Sequence, residues 1–220
     1  AIKYFSGSHD QFRTGDGLGG RTAVNRFGGP DNDFARMKAR LAWSLCATAL
    51  GTPMMFMGTE HITDRGWRAF EGYNSDSSDA FVWQPSPSSR EGQFMTMVKH
   101  INRLRLNFPA MYNPNRDSAL VHADYDNGVC AFKRWDGDGN VFLITINISD
   151  GEWKNREYQF QTGTPNSVWK EVFNSQYWAY GGWLGSGNSD PSFYPTADGS
   201  GLLQGINLPL WSLMILKQQL

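Results

Sequence analysis

Apolar residues change their spacing twice along this chain. Ile2, Tyr4 and Phe5 form a short apolar run that reads as a strand. Between residues 34 and 49 the spacing becomes helical: Phe34, Met37, Leu41, Leu45 and Thr48-Ala49 share one face. Asp31-Asn32-Asp33 supply caps and negative charge at the start of that helix. Gly51 ends it, and Pro53 prevents its continuation. Pro53-Met54-Met55-Phe56-Met57-Gly58 comes next as a continuous apolar run closed by glycine, the pattern of a strand buried on both faces. Strand, loop, helix and buried strand make one βαβ unit with two neighbouring parallel strands. A second helix carries Phe94, Met97, Val98, Ile101, Leu104 and Phe108 on one stripe and stops at Pro109. Its start has a Ser88 to Glu91 capping-box pattern.

Beyond residue 112 the period drops from helical to alternating. Residues 119–125, 129–135, 141–148, 156–160, 168–173, 202–208 and 212–217 read as short strands separated by turn residues, as in an antiparallel sandwich. The sequence thus predicts an α/β part over residues 1–110 and an all-β domain over 111–220, the second able to fold alone.

The chain has 220 residues, enough for one large domain or two ordinary ones, and 40% of them are hydrophobic, which fits globular material. Net charge is -1 from 20 basic and 21 acidic residues, so the balance recommends neither nucleic acid nor an anionic membrane as partner. No apolar run approaches the length of a bilayer span. Cys46 and Cys130 lie in apolar contexts. They read as free thiols in a reducing compartment, with a single disulfide as the other reading.

Candidate chemistry concentrates where the two parallel strands end. Phe5-Ser6-Gly7-Ser8 leads to the adjacent pair His9-Asp10, and the second strand leads to Thr59-Glu60-His61. In parallel sheets flanked by helices, ligands meet the C-terminal strand ends. A carboxylate there suits positive charge developing in a transition state, and an imidazole suits a hydroxyl. Asp10 taken alone better suits a turn or helix cap, and the second strand end beside it is what favours chemistry, while Glu60 divides evenly between contacting a ligand and supporting its neighbours.

Other motifs are weaker. Gly15-Asp16-Gly17-Leu18-Gly19-Gly20 matches the dinucleotide pattern but does not directly follow a strand, and Gly28-Gly29-Pro30 interrupts the chain before a helix could form behind it. A long active-site loop is the better use of that stretch. Residues 61–90 form a loop carrying Trp67, Tyr73 and Trp83, with no metal-ligand spacing. Asp136-Gly137-Asp138-Gly139-Asn140 resembles a calcium loop but has Asn147 where such a loop needs Glu, and two strands flank it, so it reads as a hairpin turn. Asn147-Ile148-Ser149 is a formal glycosylation acceptor. Residues 177–194 set Tyr177, Trp178, Tyr180, Trp183, Phe193 and Tyr194 among Gly, Ser and Asn. Packing is the favoured use of those rings, and offering them to a glucan is the other.

Taken in order, Ser8-His9-Asp10, Phe56-Met57-Gly58-Thr59-Glu60, Trp135 to Asn140 with Asn147-Ile148-Ser149, and Phe173-Asn174-Ser175 with Tyr180-Gly181-Gly182 and Gly187-Asn188 resemble the 1,4-alpha-glucan branching enzymes of the alpha-amylase superfamily. The resemblance implies the C-terminal portion of a (β/α)8 barrel, with residues 2–5 as its seventh strand and 54–57 as its eighth, then an antiparallel β-sandwich. It also implies that Asp10 stabilises an oxocarbenium-like transition state and that His9 contacts sugar hydroxyls, with Glu60 and Trp67 as further substrate contacts. The partners implied are an α-glucan (glycogen, amylose or amylopectin) and an N-terminal part of the same enzyme. No metal or organic cofactor is implied, and the location is the cytoplasm, or a plastid for a plant or algal source. Retaining glycoside chemistry needs a nucleophile and an acid/base carboxyl. The family carries these on strands four and five, which this sequence does not contain, so the 220 residues alone are expected to be inert. Asp64-Arg65-Gly66-Trp67 and Glu71-Gly72-Tyr73-Asn74 depart from the bacterial pattern on the acceptor side. An alpha-amylase-type hydrolase and a non-catalytic glucan-binding module are the alternatives.

Overall fold

The computed structural model describes residues 2–4, 13–14, 23–56, 58–62, 67–68, 85–113, 117–182 and 194–219. In chain order the elements are β1 (Ile2–Tyr4), β2 (Arg13–Thr14), α1 (Ala23–Arg26), α2 (Asp33–Thr48), β3 (Thr52–Met54), a 3-10 turn (Thr59–His61), β4 (Trp67–Arg68), α3 (Arg90–Asn107) and α4 (Pro109–Tyr112). The all-β part comprises β5 (Ser118–Asp124), β6 (Val129–Trp135), β7 (Val141–Asn147), β8 (Trp153–Tyr158), β9 (Val168–Asn174), a 3-10 turn (Trp178–Tyr180), β10 (Ile206–Leu208) and β11 (Ser212–Gln219).

The βαβ expectation holds in topology, but its second strand is Thr52–Met54, short and half-exposed, where the apolar run predicted a strand over 54–57 buried on both faces. β1 and β3 pair in parallel, Ile2 opposite Thr52 and Tyr4 opposite Met54, with α2 in the connection between them. α2 starts at Asn32, whose side chain accepts a hydrogen bond from the Ala35 amide at 3.1 Å, with Asp33 in the first turn. It stops at the extended Ala49, and Gly51 then takes a left-handed φ of 97°.

Phe34 does not belong to the buried stripe, since it is 44% exposed. Met37, Leu41 and Thr48 are buried as expected, and Ala35, Ala39, Trp43, Cys46 and Ala47 join them. Small residues let helices approach closely, and spacing that counts only large side chains overlooks them. α3 is capped by Ser89, whose hydroxyl accepts from the Gly92 amide at 3.1 Å, one residue later than the capping box places it. Ser88 Oγ lies 3.1 Å from Ser86 Oγ instead. The apolar stripe is as expected: Phe94, Met97, Val98, Ile101 and Leu104 are buried.

Five of the seven expected strands join one sheet in the order β5-β6-β7-β11-β9, antiparallel throughout. β8 and β10 pair separately as an antiparallel ribbon. β8 begins at Trp153, earlier than the expected 156, and carries two left-handed residues, Asn155 (φ 55°) and Arg156 (φ 62°).

Alternation along the sheet sorts two cores. Phe142, Ile144, Ile146, Phe173, Leu213 and Ile215 face α2 and α3 and join their buried residues. Val129, Ala131, Leu143, Trp169, Met214 and Leu216 face the other way, against Tyr158, Ile206 and Leu208 of the ribbon. The sheet is therefore a middle layer, buried on both sides, which explains the nearly continuous apolar run of β7 and β11. Helices covering one face are the feature the alternating pattern did not reveal. Cys46 and Cys130 are both free thiols.

Candidate functional site at the ends of the parallel strands

Parallel pairing sends β1 and β3 out of the sheet at the same edge. Tyr4 and Met54 are opposite one another, and Asp10 and Glu60 each lie six positions further along the chain. His9 and Asp10 lie outside the described residues.

Past β3 the chain turns sharply. Gly58 takes a left-handed φ of 92°, the Thr59–His61 turn comes next, and Ile62 takes a left-handed φ of 53°. A β-branched residue in that region stores strain, which is common where a side chain must be aimed. The turn is closed by the His61 amide donating to Gly58 O and the Ile62 amide donating to Thr59 O, each at 3.1 Å. Thr59 and His61 are buried. The Glu60 side chain keeps 26% exposure, and its Oε1 sits 3.6 Å from His61 Nε2. Glu60 Oε2 is buried without a hydrogen-bond partner among the described residues. A buried carboxylate oxygen left unpaired is costly, so a group that donates to it gains accordingly.

The two loops meet again further out. β2 and β4 pair in parallel, Arg13 opposite Trp67 and Thr14 opposite Arg68. The backbone of Trp67 is thus set beside the segment that begins three residues past Asp10. No periodicity or turn signal announces a pair of strands this short, and the sequence reading missed it.

The other end of β3 is fixed by buried guanidinium groups. Arg105 of α3 donates to Ala47 O at 2.7 Å and to Gly51 O at 2.8 Å, and Arg134 of β6 donates to Thr48 O at 3.0 Å. Cations here complement the negative end of α2 and satisfy carbonyls a helix terminus leaves open. Burial, followed by the neighbouring Arg105 charge, lowers the Arg134 pKa to about 10. Burial first and Arg36 second lower Arg40 to about 9, while its Nη2 donates to Gln176 Oε1 at 2.7 Å.

Several motifs become structural. Asp136 Oδ1 accepts from the amides of Asp138 and Asn140, each at 3.0 Å, and Oδ2 accepts from the Ala110 amide at 3.2 Å, so this segment is the expected hairpin turn and also ties α4 to the sheet. Burial alone would raise the Asp136 pKa, but these bonds outweigh it and hold the group below the usual carboxylate range. Asn147 is fully buried with its amide hydrogen-bonded to Gly151 O and Pro209 O. Among the described residues no cluster of three or more His, Cys, Asp or Glu could hold a metal ion. No helix among them is long and apolar enough to cross a membrane.

A further polar cluster joins two layers of the all-β part. His122 Nε2 lies 2.7 Å from Tyr158 Oη, which donates to Asp124 Oδ2 at 3.1 Å. Nothing in the spacing of residues 122, 124 and 158 marks it.

The class of protein is set by the sheet. Residues 120–219 match the family model described as the alpha amylase C-terminal all-beta domain. The chain's relatives are the branching enzymes that its motifs resemble. It is 30% identical over 190 residues to a 1,4-alpha-glucan branching enzyme, GlgB 1, of Xanthomonas axonopodis pv. citri, covering 83% of this chain and 24% of the relative. It is 28% identical over 193 residues to the GlgB of Pseudomonas fluorescens, covering 84% and 24%. The chain thus spans about a quarter of the length of these relatives. Among solved structures it resembles AmyP in complex with maltotriose, with a TM-score of 0.64 at 14% identity over 98% of this chain and 40% of the other. A maltogenic alpha-amylase, AmyB of Thermotoga neapolitana, gives a TM-score of 0.61 at 14% identity over 100% and 41%. At such identity the structures speak for the fold.

Proposed function

We propose that this chain is the C-terminal part of a glucan branching enzyme. The parent protein cleaves an α-1,4 linkage in glycogen, amylose or amylopectin, holds the chain covalently and transfers it to a 6-hydroxyl. Residues 1–110 supply the last two strands and helices of a (β/α)8 barrel, and residues 111–220 supply the all-β C-terminal domain. The observation that supports this most is the parallel β1–β3 pair, from which the chain leaves both strands at one edge, Asp10 following the first in sequence and Glu60 the second. Among the described residues each of these strands has a single partner, and an exposed sheet edge favours further strands beside it.

In this reading Asp10 faces the sugar ring on which positive charge develops and stabilises it, while His9 hydrogen-bonds a sugar hydroxyl. Glu60 and Trp67 lie on the loop after the second strand and contribute substrate contacts. The nucleophile and the acid/base carboxyl come from the N-terminal part of the same enzyme, so the 220 residues alone are catalytically inert. The reading needs no metal, organic cofactor, nucleic acid or membrane, and places the enzyme in the cytoplasm, or in a plastid for a plant or alga.

An amylase-type hydrolase is the second reading, favoured by the likeness in fold to AmyP and AmyB. Water and a sugar hydroxyl compete for the same covalent intermediate, so one assay separates the two. The full-length protein is incubated with amylose while the iodine spectrum and reducing ends are followed. Branching lowers the iodine absorbance with few new reducing ends, whereas hydrolysis raises them steeply. Asp10→Asn is expected to lower kcat by about 10³-fold in either case. A variant within about threefold of wild type would remove Asp10 from the chemistry.

A further inference from the structure

Trp178 stands on a turn built to hold it still. It opens the Trp178–Tyr180 turn and is 60% exposed, whereas Tyr180, two residues on, is buried. The Tyr180 ring stacks on Phe173 at 5.8 Å, and its hydroxyl meets His100 Nδ1 on α3. Behind the turn, Gly181 takes a left-handed φ of 75°, and a Cβ on Gly182 would lie 2.0 Å from Gln176 O. Gln176 is itself buried, bonded to Arg40 and, at 2.6 Å, to Trp211 O. The backbone behind Trp178 is therefore closely packed. Leaving the largest aromatic side chain mostly in water forgoes burial on so rigid a support.

The ring also has the geometry of a platform. Tyr177 lies 5.7 Å from Trp178 with the ring planes inclined by 53°. The Trp178 indole N–H has no partner among the described residues, so it can still donate. A sugar offers a C–H-rich face to an aromatic ring and hydroxyls to an N–H at its rim. Successive units of an α-1,4-linked chain curve, so they meet inclined rings better than coplanar ones.

Position supports the same occupant. Arg105, near the end of α3, binds Gly51 O just before β3, so the N-terminal half of α3 runs beside the far end of β3. The aromatic turn sits on that half, with Gly181 against Gln93, about 18 Å along the helix from Arg105 at 1.5 Å per residue. The Thr59–His61 turn packs on the same helix.

We propose that Trp178, with Tyr177 inclined behind it, is a holding point for an α-1,4-linked glucan chain, carried by the all-β part and turned toward the strand-end edge. The inference rests on the reading of the protein as glucan-active and adds a binding site to it. The test is native electrophoresis of the full-length protein in gels with and without glycogen, together with Trp178→Ala and Trp178→Phe. Trp178→Ala is expected to weaken the apparent affinity about tenfold, and Trp178→Phe to stay within about threefold of wild type. The thermal midpoint of Trp178→Ala stays within about 2 °C, as for an exposed side chain. Trp178→Ala retarded as strongly as wild type overturns the holding point alone. A change in oligomeric mass in place of a change in retardation overturns it too, since the ring would then be a protein contact. Wild type that glycogen does not retard overturns both this inference and the glucan-active reading.

Discussion

Arg105 and Arg134 donate to the same backbone oxygen, that of Met111, each at 2.8 Å. One comes from the second long helix and the other from the sheet, and both also bind carbonyls at the end of α2. Each explains the other's position: a single carbonyl with two lone pairs draws two helices and a strand to one point.

Arg134→Met should therefore destabilise the protein by about 3 kcal/mol, since two buried carbonyls lose a charged donor. Arg134→Lys should recover part of the loss, because both bonds come from the one nitrogen Nη1 and an ammonium also donates to more than one acceptor. Urea unfolding at constant m-value measures this, and a loss below about 1 kcal/mol would show that the two carbonyls find other partners.

Asn147 binds through both ends of its amide: its oxygen accepts from the Ser149 amide at 2.9 Å and Ser149 Oγ at 2.7 Å, and its nitrogen donates to two carbonyls. Asn147→Ala should lower stability by about 3 kcal/mol. The folded protein passed through a glycosylating host should leave Asn147 unmodified despite the matching tripeptide. A glycopeptide detected at Asn147 by mass spectrometry would contradict this.

Stability should fall with acid in two separate windows. Burial lowers the His122 pKa, against the opposing pull of Asp124, and burial followed by the Arg103 charge lowers that of His100. Both imidazoles resist protonation in the folded state more than in the unfolded one. Their contribution is whole above the unfolded value of about 6.5 and is lost as pH falls below it. Asp124 is held low chiefly by its bonds from Asn127, so its contribution is lost only below about pH 4. Urea midpoints should decline from about pH 7.5 to 5.5, and His122→Gln should flatten that decline. A flat wild-type profile across that window would refute the assignment.

Residues 113–220 expressed alone should behave worse than the sequence suggests. Alternation and turns predict an all-β unit that folds by itself, but Phe142, Ile144, Phe173, Leu213 and Ile215 lose their cover when α2 and α3 are removed. The piece should self-associate and bind a hydrophobic dye. A monodisperse species with a cooperative unfolding transition would restore the expectation of an independent domain.

Elements with their own periodicity were legible. The two long helices and the strands of the all-β part announce themselves through spacing and punctuation, whereas the strand expected after Pro53 is Thr52–Met54 and is not buried. The parallel pairing of β1 with β3 followed from the length of the connection. The hidden features involve partners far apart in sequence. Nothing in the spacing marks Arg40, Arg105 and Arg134 as buried, and Phe34 read as core where the small Ala35 and Ala39 are buried. The His122–Tyr158–Asp124 contact crosses layers. Of the candidate site, adjacency and family resemblance marked His9 and Asp10, and Glu60 was placed by counting from the strand. The backbone of Trp67 found its neighbour only through a two-residue pairing that no pattern encodes.

That pairing has an evolutionary consequence. With β1 beside β3 and β2 beside β4, the loops spanning residues 5–12 and 55–66 are each pinned at both ends to the other. Each change of length must therefore be absorbed between these two anchor points if the outer ladder is to persist. New specificity at this edge should therefore arise more readily by exchanging side chains than by changing loop length.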